Sequence, residues 1–224
     1  GELWYDSTNK DFKYLYANVT STGSWSTGNS MNTAREQLCS NGVQTNALAI
    51  GGYITTYQAI TESYDGTSWT EVNDLSTARG TLASAGTYTS ALAFGGQGTA
   101  ITGITESWNG TNWTEVNDLN TARKGLAGAG TDNEGVIAVG GENPSVDVAN
   151  VESWNGTNWT EVNDLNTGRH GLGGAGPYTA ALGFGGGPGT KTETELWNGT
   201  NWTEQNDLST GRKYLGGAGT STAG

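Results

Sequence analysis

"ESWNGTNWTEVNDLNTAR" fills residues 106–123, and "ESWNGTNWTEVNDLNTGR" fills residues 152–169, with one difference between the two copies. A phrase repeated at this length indicates an array of similar structural units, and such an array sets the context of every other residue. Each arginine of the 224-residue chain follows a tryptophan by ten residues. The arginines are Arg35, Arg79, Arg123, Arg169 and Arg212, and the tryptophans are Trp25, Trp69, Trp113, Trp159 and Trp202. Successive arginines are 43 to 46 residues apart, which predicts five repeats.

Each repeat has the pattern of four short β-strands. In one unit we predict strands at residues 80–86, 90–95, 104–109 and 112–116. The third and fourth strands are joined at Asn109-Gly110, and Asn-Gly is a strong signal for a β-hairpin because both residues accept positive φ. Runs rich in Ala, Leu, Glu and Lys, which favour long helices, are absent from the sequence. The composition therefore predicts an all-β chain.

Side-chain size increases through each repeat, from Gly and Ala in the first two strands to Trp and Tyr in the last two. This gradient suits sheets that radiate from an axis, where space is smallest near the centre. The chain ends just after a first strand, and residues 2–7 have the spacing of a missing second strand. We therefore predict one domain, a five-bladed β-propeller of four-stranded antiparallel blades, in which residues 2–7 pair with residues 214–219. The closing blade combines 1–34 with 213–224, and the other blades span 35–78, 79–122, 123–168 and 169–212.

The frame resembles the kelch repeat. Each well-formed unit carries a di-glycine, then Tyr or Trp, then the frame tryptophan and a turn that ends in arginine. The di-glycines are Gly51-Gly52, Gly95-Gly96, Gly140-Gly141 and Gly185-Gly186, and the first aromatics are Tyr64, Trp108, Trp154 and Trp197. The resemblance implies a kelch-like propeller. The opening "GELWYDSTNKDFK" and the Gly/Ala-rich repeats are also loosely similar to appendage or tail-associated proteins of aquatic bacteriophages, which implies a virion or extracellular location.

The sequence shows no set of catalytic residues. Kelch-type oxidases hold copper with Tyr and His, but this chain has a single histidine, His170. It occupies the position after a frame arginine, where other repeats have Glu36, Gly80, Lys124 and Lys213, so we expect a variable, solvated position without a metal. Cys39 has no recognisable histidine partner, and we expect it to be a buried structural residue. We therefore predict a protein that is not an enzyme and has no cofactor.

The acidic residues recur with the repeats, which favours structural roles over a catalytic pair. The repeated acids are Glu71, Glu115, Glu161 and Glu204 on the fourth strands, and Asp74, Asp118, Asp164 and Asp207 in the turns that follow. We expect the turn acids to bond the backbone. We expect the frame arginines to be partly buried and paired with turn acids or backbone carbonyls, and the frame tryptophans to pack in the core. Triplets such as Asn109-Gly-Thr111 match a glycosylation acceptor, but the hairpin accounts for them more simply.

The formal net charge of −12 opposes binding to nucleic acid or to an anionic membrane. No stretch is long and apolar enough to predict membrane insertion, and a monomer is the default expectation. The repeats differ most in the segments between the second and third strands, residues 53–60, 97–103, 142–150 and 187–192, which we call the loop face. Its candidate ligand-binding residues are Tyr53, Tyr57, Gln97, Glu142, Asn143, Asp147 and Lys191.

Two functional hypotheses follow. In the first, the chain is a non-catalytic module on a virion or extracellular surface that recognises a glycan or cell-surface receptor through the loop face, since loops on a rigid scaffold commonly carry binding. In the second, it is a purely structural propeller without a ligand, natural or engineered from near-identical repeats, and the loops differ by neutral drift.

Overall fold

The computed structural model describes residues 27–220, together with the backbone of residues 2–6 and 11–15. This part of the chain is all-β and contains no helix that could cross a membrane. Four antiparallel four-stranded sheets follow one another along the sequence, and their first strands lie side by side around a common axis. The arrangement is a four-bladed β-propeller.

The described strands are short and follow chain order within every blade. β1 (Glu2–Asp6) and β2 (Asp11–Leu15) form a separate two-stranded sheet. The first blade consists of β3 (Cys39–Val43), β4 (Asn46–Ile50), β5 (Thr61–Tyr64) and β6 (Trp69–Glu71). The second consists of β7 (Ala83–Gly86), β8 (Ala91–Phe94), β9 (Thr105–Trp108) and β10 (Trp113–Val116). The third consists of β11 (Ala127–Gly130), β12 (Val136–Val139), β13 (Val151–Trp154) and β14 (Trp159–Val162). The fourth consists of β15 (Gly173–Ala175), β16 (Leu182–Phe184), β17 (Thr194–Trp197) and β18 (Trp202–Glu204).

The prediction of five blades, with a closing blade shared by the two ends of the chain, is wrong. Residues 2–7 were expected to pair with residues 214–219, but β1 pairs with β2 in an antiparallel hairpin whose register places Glu2 opposite Leu15. Residues 213–219 contain no strand. The described residues therefore form four four-stranded blades and one small additional sheet.

The physical reason for this error lies in two features that the first 34 residues lack. They contain no di-glycine, whereas each of the four blades has one after its second strand. They also lack the third-strand glutamate that each blade places seven residues before its frame tryptophan, because the residue seven before Trp25 is Asn18. Counting along the repeat period extended the pattern into a segment whose sequence lacks both features.

The di-glycines join each blade to the next. The second glycine of each pair donates its N–H to the carbonyl of the following frame arginine, as Gly96 does to Arg123 at 2.9 Å. Both glycines have positive φ, and a Cβ on Gly95 would lie 2.6 Å from the Arg123 carbonyl oxygen. Only glycine combines this backbone conformation with so close an approach.

A series of backbone hydrogen bonds joins the inner ends of successive repeats. The residue two positions after each frame arginine has a left-handed conformation, and from Thr81 onward its N–H donates to the carbonyl of its counterpart in the preceding repeat. The series runs through Gln37, Thr81, Gly125, Gly171 and Tyr214, with distances of 2.6 to 2.8 Å. These bonds set how closely the inner ends of the repeats approach one another.

The outer strands are held by aromatic pairs, as the side-chain gradient suggests. In the second blade Trp108 and Trp113 pack with ring centroids 5.2 Å apart, and each later blade has an equivalent pair. The third and fourth strands of a blade are joined by four residues: Asn109 caps the turn by accepting from the N–H groups of Thr111 and Asn112. Trp25, the first frame tryptophan, lies outside the described residues.

A second contact of the frame tryptophans crosses between blades. The Nε1 of Trp113 donates to Thr61 Oγ1 of the preceding blade, and the Nε1 of Trp159 donates to Thr105 Oγ1, both at 3.1 Å. In the third blade the threonine position is occupied by Val151, and the buried Nε1 of Trp202 has no hydrogen-bond partner. A buried donor without an acceptor costs about 1–3 kcal/mol.

Replacing Val151 by Thr should therefore stabilise the protein. The new hydroxyl would lie at the position from which Thr61 and Thr105 accept, and we expect a gain of about 1 kcal/mol in the free energy of unfolding. Urea unfolding monitored by tryptophan fluorescence measures the change.

Thr105→Val is the matched control, because it removes the equivalent acceptor from Trp159. We expect it to destabilise the protein by about 1–2 kcal/mol. A Val151→Thr variant that is less stable than the parent chain would show that the Trp202 donor does not reach this position.

Candidate functional site

Buried arginines directly precede two residues of the site, Lys124 and His170. The side chains of Arg79, Arg123 and Arg169 are fully buried, and each forms an ion pair with a third-strand glutamate of its own blade. Arg123 Nη1 lies 2.5 Å from Glu152 Oε1, and Arg35 is paired with Glu62 in the same way. The remaining guanidinium bonds go to backbone carbonyls, such as Arg123 Nη2 to Ala138 O at 3.4 Å.

The partner acids differ from those expected. We predicted turn acids or backbone carbonyls, whereas the structure uses carbonyls together with the third-strand glutamates Glu62, Glu106, Glu152 and Glu195. The turn acids bond the backbone instead: Asp118 Oδ1 accepts from Thr105 N–H at 3.0 Å. The fourth-strand glutamates are exposed.

Each glutamate also fixes the turn that leads into its blade. Glu152 Oε2 accepts from the backbone N–H of Asn120 at 2.8 Å, and its Oε1 accepts from that of Thr121 at 3.3 Å. Arg212 is the exception among the frame arginines, since its side chain is exposed and has no acidic partner in the described residues. The arginine–glutamate unit therefore positions the turn, and with it the residue that follows the arginine.

That following residue is held at the loop face by a backbone bridge. The residue after the frame arginine forms a β-bridge with the residue that follows the di-glycine of the same blade. The residue that follows the di-glycine forms a second β-bridge with a residue four or five positions later in the same loop. The bridged sets are Glu36, Tyr53 and Tyr57 in the first blade; Gly80, Gln97 and Ile101 in the second; and Lys124, Glu142 and Asp147 in the third. One backbone geometry thus carries different side chains in each blade.

The second, third and fourth blades contribute to a polar network on this face. Lys124 Nζ donates to Gln97 Oε1 at 2.6 Å and lies 3.3 Å from Glu142 Oε1. His170 Nδ1 lies 2.6 Å from Asp147 Oδ1 and 3.9 Å from Glu142 Oε2. The side chains are only partly buried, with exposed fractions of 13% for His170, 18% for Asp147 and 31% for Glu142.

Two connected cavities open beside this network. The first, which we call the mouth recess, has a volume of about 740 Å³ and is lined by the network residues, by Asn143 and by apolar groups such as Ile101 and Val146. The second is the central cavity of about 840 Å³, which follows the innermost strands along the axis. Gln97, Lys124, Glu142 and His170 line both.

The predicted ligand-binding residues fall into three groups. Gln97, Glu142, Asn143 and Asp147 meet in the mouth recess. Tyr53 and Tyr57 form an edge-to-face pair with ring centroids 5.2 Å apart, and Tyr57 lines the central cavity. Lys191 lies outside both cavity linings and pairs with Glu193 at 2.9 Å.

Sequence reasoning missed Lys124 and His170. It treated the position after the arginine as a solvated one and found no partners for His170, whereas the structure places Glu142 and Asp147 beside the imidazole. The sequence did offer one signal for these two residues: the residue after the frame arginine differs between repeats, although the arginine itself does not. Among the described residues, Glu142, Asp147 and His170 are the group that could together hold a metal ion.

Cys39 offers no nucleophile to this site. Burial raises the pKa of its thiol to about 11, so the thiol is protonated at neutral pH. Its Sγ lies 3.8 Å from the Ile50 carbonyl within the first blade.

Comparison with known proteins identifies the fold. No protein-family model and no curated protein sequence matches the chain. Among solved structures, YjhT is similar to this chain with a TM-score of 0.69 and 14% sequence identity, over 82% of this chain and 74% of that one. YjhT is a propeller-type protein, and at this identity the likeness shows the β-propeller fold alone.

Replacing Arg123 by Ala should strongly destabilise the protein. The change leaves the Glu152 carboxylate buried without its guanidinium partner, and we expect a loss of about 3–5 kcal/mol in the free energy of unfolding. Arg212→Ala is the matched control at the same repeat position. Because Arg212 is exposed, we expect a change within about 0.5 kcal/mol. Equal losses in the two variants, measured by urea unfolding, would contradict a structural role for the buried pair.

The ion pair between Arg35 and Glu62 should make the free energy of unfolding depend on pH in the acid range. Burial alone would raise the pKa of Glu62, but bonds from Arg35 and from the N–H groups of Asn32 and Thr33 outweigh it, so the pKa lies below its ordinary value. A carboxyl whose pKa is lowered by folding stabilises the protein above its unfolded pKa. This contribution is lost as the pH falls through the folded pKa.

We therefore expect the parent chain and Glu62→Gln to differ in stability at pH 7 and to converge as the pH falls below about 4. Urea midpoints measured from pH 7 to pH 3 test this. Glu115→Gln, at an exposed fourth-strand position in another blade, should stay close to the parent chain throughout. A constant difference between parent and Glu62→Gln across the range would exclude the pairing as its cause.

Proposed function

We propose that the chain is a non-catalytic recognition module that binds a glycan at the mouth recess. The observation that carries the proposal is the contrast between the blades: near-identical repeats hold the same bridged backbone positions, yet three blades present different side chains there. Such variation on a constant scaffold is the pattern expected where loops select a ligand.

The recess has the chemistry that a hydroxyl-rich ligand requires. Lys124 and the Gln97 amide supply donors, and Glu142 and Asp147 supply acceptors, all within one recess. Ile101 and Val146 provide apolar surface next to them, suited to the C–H face of a sugar ring. A volume of about 740 Å³ lies within the usual range for small-molecule sites, about 300–1,000 Å³.

The charge of the chain narrows the ligand class. A net charge of −12 disfavours polyanionic partners such as nucleic acids, so a neutral or cationic glycan fits best. A glycan carried by a cell-surface receptor has this chemistry. Display of the module on a virion or another extracellular surface belongs to the same proposal, and its motive is the loose similarity of the chain to appendage proteins of aquatic bacteriophages. The repeat frame supports a kelch-like type, and a monomer is the default expectation.

A glycan array probed with the fluorescently labelled chain tests the proposal. We expect binding to a small set of neutral or cationic glycans, and a loss of about tenfold or more in affinity in Gln97→Ala, because this change removes an amide from the recess. Tyr57→Ala should weaken ligands that extend into the central cavity.

Tyr178→Ala is the matched control, because Tyr178 is an exposed aromatic residue in the loop between β15 and β16, at the opposite ends of the strands from the loop face. The Tyr178→Ala variant should bind glycans with the same affinity as the parent chain. Binding that is lost in Tyr178→Ala and kept in Gln97→Ala would place the ligand elsewhere, and hydrolysis of a bound glycan would contradict a non-catalytic role. Absence of binding on broad arrays would favour the purely structural alternative.

A further inference from the structure

We infer that Glu142, Asp147 and His170 form a binding site for one Zn²⁺ ion. Their ligand atoms, two carboxylate oxygens and one imidazole nitrogen, lie within 4.8 Å of one another at the edge of the mouth recess. Imidazole and carboxylate are common ligands of Zn²⁺ in proteins. The inference concerns the metal alone and does not depend on glycan binding.

The separations of the two carboxylates from the imidazole suit a tetrahedral ion after small side-chain rotations, and the two carboxylate oxygens lie within 4.8 Å of each other. Ligand atoms about 2.0–2.2 Å from Zn²⁺ lie about 3.4 Å from one another in tetrahedral geometry. His170 Nδ1 is 2.6 Å from Asp147 Oδ1 and 3.9 Å from Glu142 Oε2, so one separation lengthens and the other shortens by less than 1 Å. Zn²⁺ needs the unprotonated nitrogen, so bonds to the metal would replace the hydrogen bond between His170 Nδ1 and Asp147 Oδ1.

The backbone holds the three ligands in place. Glu142 exchanges two hydrogen bonds with Lys124, at 2.8 and 3.0 Å, and Asp147 bridges Glu142 across the loop. The His170 carbonyl accepts from Gly187 N–H at 2.8 Å. The imidazole lies against Gly187, where a Cβ would come within 2.7 Å of its Cε1, so the missing side chain leaves room for the ring.

This ligand set occurs once in the repeat pattern. The corresponding residues are Tyr53, Tyr57 and Gly80 two blades earlier, and Gln97, Ile101 and Lys124 one blade earlier. The chain has one histidine, and it lies beside the one loop that carries two bridged acids in the described blades. Three protein ligands leave the fourth coordination position of Zn²⁺ open towards the recess. Ca²⁺ and Mg²⁺ favour oxygen ligands, so a set that includes an imidazole nitrogen suits them less well.

Lys124 opposes the metal and provides a test with a definite sign. Its Nζ lies 3.3 Å from Glu142 Oε1, so it competes for that carboxylate and adds positive charge beside the ion. Removing this charge should strengthen Zn²⁺ binding, whereas removing a ligand should weaken it. Lys213 occupies the same repeat position two units later, with its Nζ 5.4 Å from the Tyr214 ring, and serves as the control.

The experiment is a calorimetric titration with ZnCl₂ of the chain purified without a histidine tag and dialysed against EDTA. We expect one equivalent to bind, with millimolar Ca²⁺ failing to displace it. The affinity should fall at least about tenfold in His170→Ala and in Asp147→Asn. It should rise about three- to tenfold in Lys124→Gln and stay unchanged in Lys213→Gln.

Thermal unfolding gives a second readout and shows that each variant is folded. Zn²⁺ should raise the unfolding midpoint of the parent chain and of Lys124→Gln, but not that of folded His170→Ala. The inference is overturned if the folded parent chain binds no Zn²⁺ at millimolar concentration, or if several ions bind with equal affinity. It is overturned equally if His170→Ala binds as tightly as the parent chain, or if Lys124→Gln binds more weakly.

Discussion

A guanidinium removed from water needs an acidic partner, and the propeller is organised around this constraint. Burial lowers the pKa of Arg123, and the Glu152 carboxylate beside it opposes that shift. The same glutamate accepts two N–H groups of the turn, while the arginine carbonyl accepts the N–H of Gly96 from the preceding blade. One buried pair therefore couples a turn, a third strand and a neighbouring blade.

Because of this coupling, the residues that stabilise the fold are different from the residues that vary at its surface. The arginine and its glutamate are the same in all four blades, so the backbone of the next residue is held in the same way each time. The side chain of that next residue is not needed by the core and is free to differ. Lys124 and His170 occupy this position, and both participate in the network at the mouth recess.

Much of the fold could be predicted because each blade is built from local patterns. Alternating short strands, Asn-Gly turns and the di-glycines indicated antiparallel four-stranded blades and a propeller, and the structure confirms that coarser prediction. The number of blades was wrong because period alone does not form a blade. The first 34 residues keep Trp25 at the expected spacing but have Asn18 where the other repeats have the glutamate that receives the arginine.

By itself the sequence determined the repeat frame, the all-β blades, the acidic charge and which loops differ between repeats. Only the tertiary structure decided which of these variable side chains meet. Glu142 and Asp147 belong to the third blade and His170 to the turn that begins the fourth, 23 or more residues away along the chain. The repeat pattern of the sequence predicts contacts within one blade. Contacts between blades depend on how closely the blades approach one another around the axis. That approach is set by backbone bonds such as the one from Gly171 to Gly125, which the identity of the side chains does not reveal.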